Sequence, residues 1–107
     1  MDKLTMRILD SLVDDEEQLE EVFLVANFQR IDDTFYVYHD YYRLPEIVLR
    51  LADLEVQGLV SSMQHPDYPT RCGPSGRVYR LTENGRLVWE SRVKGAASIY
   101  TLRRKRE

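Results

Sequence analysis

Two stretches decide how this chain folds: PEIVLRLADLEVQGLV at 45–60 and VYRLTENGRLVWE at 78–90. In the first, Ile47, Leu51 and Leu54 fall on one side of a helix, helped by Leu44 and Val48, and predict a helix over 45–57. Pro45 has the fixed φ that suits a first helical position. Gly58 stands where a left-handed residue closes a helix. The following LVSSM alternates, Leu59, Ser61 and Met63 against Val60 and Ser62, as a short strand does. In the second stretch, RVYRL at 77–81 is the matching strand, with Val78 and Leu81 beside Tyr79 and Arg80. Thr82 then caps a last helix, with Leu87, Val88 and Trp89 turned inward and Gly95 at its end. Between the strands lies QHPDYPTRCGPSG, whose Pro66, Pro69, Pro74, Gly73 and Gly76 exclude a regular sheet interior and make the unit a hairpin.

Upstream, Leu4, Ile8 and Leu12, widened by Leu9 and Val13, predict a helix over 4–13 with Asp2 as its cap. A second helix is expected at 16–28, with Asp15 as N-cap, Gln18 at N3 and acids crowding the first turn where the helix dipole favours them. Its inward stripe is Leu19, Val22, Phe23 and Ala26. Residues 29–43 are of another kind. Five of the chain's eleven aromatic residues, Phe35, Tyr36, Tyr38, Tyr41 and Tyr42, fall within 35–42 beside Val37. Such content suits a short strand or an ordered, packed loop, and the sequence leaves both open.

Helix, helix, helix, strand, wing, strand, helix is an order that resembles the winged helix-turn-helix superfamily, a mainly α fold with a small β-hairpin (α+β). The local wording matches too. A leucine-spaced helix closed by Gly and two apolar residues resembles a recognition helix running into the first wing strand. Leu81-Thr82, two variable residues and Gly85-Arg86 resemble the second wing strand and following helix of MarR- and PadR-like bacterial transcriptional regulators. The connection between the second and third helices departs from that pattern, being long and rich in Tyr where a turn of a few residues is usual. The resemblance implies a DNA-binding regulator, dimeric through terminal helices, with the first helix and 83–104 as candidates and Trp89, Ile99, Tyr100 and Leu102 as apolar contacts.

Charge sharpens the expectation. Residues 1–55 hold fourteen acids and five bases, a balance of −9, whereas 56–107 hold four acids and ten bases, a balance of +6. A polyanion would meet the second half. The expected contacts to double-stranded DNA are Arg50 and Gln57 on the 45–57 helix in the major groove, with Arg43 just before it, and Arg71, Arg77 and Arg80 in or beside the 64–77 wing on the backbone. Arg103, Arg104, Lys105 and Arg106 add a basic C-terminal extension at 96–107 to a domain at 1–95. Glu46 and Asp53 share the outward face of the 45–57 helix and oppose phosphate. The competing expectation is therefore a winged-helix protein–protein interaction module that binds no DNA and meets a partner with its acidic helices and the Tyr-rich stretch 35–42.

Enzyme chemistry is not expected. His39, His65 and Cys72 are the only soft metal ligands, and no pair has the close spacing of a zinc site, so neither metal nor cofactor is implied. The segment GPSG at 73–76 lacks the Lys-Ser/Thr of a phosphate-binding loop. Cys72, a lone cysteine beside Arg71, fits a reducing cytoplasm and forms no internal disulfide framework. The 107 residues, 43% hydrophobic and 31% charged, suffice for one hydrophobic core and contain no membrane-spanning run.

Overall fold

The α1 helix (Lys3–Leu12) sits at the centre of a computed structural model that describes residues 1–95. Its predicted stripe, Leu4, Ile8, Leu9, Leu12 and Val13, is buried throughout. Asp2 caps it, its carboxylate accepting from the Thr5 N–H at 2.9 Å. Around α1 pack α2 (Leu19–Asn27), α3 (Leu44–Val56) and α4 (Glu83–Gly95). Val22 and Ala26 face it from α2, Ile47, Leu51 and Leu54 from α3, and Trp89 and Val93 from α4, all within one core. Leu87, expected inward, is exposed instead, because Gly85, Trp89 and Val93 take the core side of α4.

The expected helix at 16–28 starts three residues late. Glu17 and Gln18 are extended as strand β1 and pair antiparallel with β5 (Arg77–Leu81), Glu17 opposite Tyr79 and Gln18 opposite Val78. Gln18, not Asp15, therefore occupies the N-cap position, without a side-chain cap bond. Strand β4 (Val60–Gln64) flanks β5 on its other side, Val60 opposite Leu81 and Gln64 opposite Arg77. The sheet order is β1-β5-β4. Val60 and Tyr79 close the core from the sheet.

Residues 29–43 contain both alternatives. Strands β2 (Phe28–Ile31) and β3 (Thr34–Val37) form a hairpin around the two-residue turn Asp32-Asp33, and 38–43 form an ordered loop. Asp32 has φ 55°, a left-handed value that Asp tolerates better than most residues. Over the described residues the fold is α+β: four α-helices, a three-stranded antiparallel sheet and this separate hairpin. Among the described residues no helix is long and apolar enough to cross a membrane.

The two stretches that decided the fold touch each other. Gly58 (φ 77°) ends α3 in a Schellman arrangement, Leu59 N–H donating to Leu54 C=O at 2.9 Å and Gly58 N–H to Glu55 C=O at 3.0 Å. Thr82 donates its hydroxyl to the Gly58 carbonyl at 2.6 Å and accepts from the Gly85 N–H at 3.0 Å. A Cβ on Gly85 would lie 2.0 Å from the Leu59 carbonyl oxygen. Both glycines thus serve one junction, where the end of α3 meets the start of α4.

Candidate functional site

The exposed face of α3 is built by helical geometry from what the core does not take. With Ile47, Leu51 and Leu54 buried, the opposite side carries Leu49 at 68% exposure and Val56 at 89%, seven residues apart on one line. Glu46, Ala52 and Asp53 surround that line and are exposed as well. Glu55, also exposed, accepts from the Ser62 hydroxyl at 2.9 Å. The face is apolar along its middle and acidic at its margins.

Arg43, Arg50 and Gln57 fall on one flank of α3 rather than on its outward centre. Arg43 is exposed at the N-cap. Arg50 is half-buried and committed within the chain: its guanidinium pairs with the Asp2 carboxylate and donates to Thr5 Oγ1 at 2.7 Å. That hydrogen bond, with the Thr5 contacts, holds the Asp2 carboxyl well below the usual carboxylate range and raises Arg50 in turn. Gln57 shares the cleft beside Asp2, Thr5 and Arg50.

The wing is folded, not loose. Gln64 donates its side-chain amide to the carbonyls of Tyr68 (2.6 Å) and Arg71 (2.8 Å), and the His65 N–H donates to Gly76 C=O at 2.8 Å. His65 Nδ1 accepts from the Asp67 N–H at 3.0 Å, and its Nε2 lies 2.8 Å from the side-chain amide nitrogen of Gln18. Arg71 lies over the Tyr68 ring at 4.0 Å and is exposed. Arg77 is tied across the hairpin to the Ser62 hydroxyl (2.7 Å) and carbonyl (3.1 Å). Arg80 reaches Ser61 at 3.1 Å and shares a cleft with Asp14, Asp15 and Glu16. Cys72 is an exposed free thiol. Residues 103–106 and the apolar contacts expected at 99, 100 and 102 lie outside the described residues.

The aromatic stretch divides. Arg7 rivets its second half to the body: the guanidinium lies over Tyr38 at 3.8 Å and Tyr42 at 5.4 Å, and donates to the carbonyls of Ala26 and Asp40. Tyr41 meets Phe23 edge-on at 6.0 Å between ring centres. Phe35, Tyr36 and Val37 are all exposed on the hairpin. Between the hairpin and α2 runs a cleft of about 670 Å³ walled by Leu24, Val25, Phe28 and Phe35. The first helix, expected at a dimer contact, shows no exposed apolar residue of its own between Leu4 and Val13.

Of the sequence-derived site residues, Arg43, Gln57, Arg71 and Arg80 are exposed, and the three arginines form no side-chain ion pair among the described residues, whereas Arg50 and Arg77 serve the fold. Leu49 and Val56 were legible in another way. Seven large apolar side chains, besides Ala52, in the thirteen residues of α3 exceed what one stripe can bury, so some had to face outward. Comparison with protein-family models, characterised proteins and solved structures gave no match.

Proposed function

We propose that this chain is a winged-helix interaction module whose α3 face receives a partner protein. The order α1-β1-α2-α3-β4-β5-α4, with β5 between β1 and β4, supports the winged-helix reading. The β2–β3 hairpin is then an insertion between its second and third helices. One observation carries the functional reading: the outward line Leu49–Val56, rimmed by Glu46 and Asp53, offers apolar area and carboxylates where a groove-reading helix needs donors and cations. Contiguous exposed apolar surface with a polar rim marks a binding patch. Its length suits one helix of the partner, apolar along one side and basic at the edges.

The test titrates the full chain with an amphipathic Leu/Lys helical peptide and follows amide shifts by NMR. Shifts are expected at Leu49, Asp53 and Val56, and Leu49→Asp should abolish them. In parallel, a mixed-sequence duplex should bind no tighter than about 10⁻⁶ M at moderate salt, the usual non-specific level. Tight duplex binding that strengthens in Glu46→Lys/Asp53→Lys would overturn the proposal.

That outcome would favour a second reading, a dimeric DNA-binding regulator, which one feature supports: Arg71 stands exposed at the wing with its guanidinium held on Tyr68. On that reading Arg71→Ala lowers the salt slope by roughly one unit per lost phosphate contact. Arg77→Ala would loosen the hairpin instead, since Arg77 spends its donors on Ser62. Light scattering of the same sample gives the mass.

A further inference from the structure

Helix α4 ends beside an apolar track that leads to acid. Arg92 and Val93 of its last turn line a mainly apolar cleft of about 140 Å³ with Met6, Arg7, Asp10, Val25 and Tyr38. Val25 and Tyr38 belong equally to the larger cleft between α2 and the hairpin. There Leu24 and Phe35 are 45% and 66% exposed. That cleft shares Glu21 with a third, lined by Asp15, Glu16, Glu17 and Glu20. From Val93 outward the surface is therefore apolar first and acidic second, along the length of α2.

The chain that follows α4 has the same order. Ile99, Tyr100 and Leu102 come first, then Arg103, Arg104, Lys105 and Arg106. Counted from Gly95, where α4 ends, at about 3.3 Å per extended residue, Ile99 reaches up to roughly 13 Å and residue 106 up to roughly 36 Å. The nine residues of α2, along which the track runs, span about 14 Å. Length, apolar order and charge order all agree.

We propose that residues 99–106 dock in cis on α2, with Ile99, Tyr100 and Leu102 in the cleft against Leu24, Phe28 and Phe35, and the four cations over Glu21, Glu20 and Glu17. The segment covers the apolar surface that the hairpin leaves open. It also spends on α2 the cations that a polyanion would otherwise meet, so a polyanion must compete with these carboxylates for them. This inference is independent of the α3 reading, because it uses another face.

Disulfide trapping in the full chain tests it, with Cys72→Ser removing the native thiol. Leu24→Cys with Leu102→Cys should oxidise to an intramolecular disulfide at least tenfold faster than the control pair Val56→Cys with Leu102→Cys. Equal rates for the two pairs, or no disulfide in either, overturn the docking. A disulfide-linked dimer at low micromolar protein overturns the cis assignment and places the segment on a second copy. If the cysteine variants do not fold, hydrogen exchange decides. Ile99→Asp with Leu102→Asp should speed exchange at residues 24–31 several-fold and leave α3 unchanged, and unaltered exchange at 24–31 overturns the proposal.

Discussion

Asn27 holds the long connection between α2 and α3 from both ends. Fully buried, it donates its side-chain amide to Tyr42 C=O at 2.8 Å, accepts from the Tyr42 N–H at 2.6 Å, and receives the Tyr38 N–H on its own carbonyl at 2.9 Å. Asn27→Ala would leave the Tyr42 N–H and C=O without these partners, at about 2–4 kcal/mol for two such groups. A lowered urea midpoint with unchanged slope is the expected result; a loss under 0.5 kcal/mol would mean that water replaces the amide. Nothing local announced this role. An Asn near the end of an apolar helix looks like a fraying polar residue, and its partner lies fifteen positions on. Asp2 was legible as a cap but not as the partner of Arg50. Its folded pKa is depressed by Arg50 and Thr5, so its stabilisation is present above the unfolded carboxylate pKa of about 4 and is lost as pH falls below it. Asp2→Asn should lower stability at pH 7 by about 1 kcal/mol, discounted for its half-exposed side chain, and flatten the acid limb of the stability profile. An unchanged acid limb would assign that limb to other carboxylates.

Helices α1 and α3 were readable because their apolar spacing and their core are local facts of the chain. The start of α2 was not, because Glu17 and Gln18 are drawn into extended backbone by Tyr79 and Val78, some sixty residues away. At the α3–α4 junction, sequence and structure meet in Gly85. Ala in an exposed helix interior gains up to about 1 kcal/mol over Gly. Here the added Cβ would sit 2.0 Å from the Leu59 carbonyl, which belongs to backbone and itself accepts from the Thr82 N–H at 3.1 Å. The contact outweighs the propensity, and Gly85→Ala should destabilise by about 2–3 kcal/mol, as strained core substitutions do. A gain in thermal midpoint would mean that α4 can slide off Leu59. The hairpin makes the opposite case. Asp32 carries φ 55° at an exposed turn, so Asp32→Gly relieves a left-handed side chain. A gain of about 0.5–1 kcal/mol in hairpin protection, read by hydrogen exchange at 28–37, is expected. No gain would show that hydrogen bonding by the Asp side chain already offsets its conformational cost.

Charge is arranged on the scale of the whole molecule. Residues 1–95 carry seventeen acids and eleven bases, a balance of −6, and 96–107 carry four bases and one acid, a balance of +3. Within the described part the repulsion is concentrated on α2 and its approach. At Glu17 the neighbouring charges add to burial: partial burial first, then Glu21 and Asp15, hold its carboxyl above the ordinary range, so ionising it there costs stability at neutral pH. Salt should relieve that repulsion, because at 0.5 M the screening length falls to about 4 Å, while Arg50–Asp2 is in direct contact and loses less. If residues 103–106 lie on these carboxylates, they already supply the relief, and the full chain's thermal midpoint should rise little between 0.02 and about 0.5 M sodium chloride. Replacing the four cations at 103–106 by Gln removes the relief, and that variant should melt lower at low salt and recover most of the difference at high salt. Parallel salt curves for the two proteins would place the cations away from α2, where they would be free for a polyanion after all.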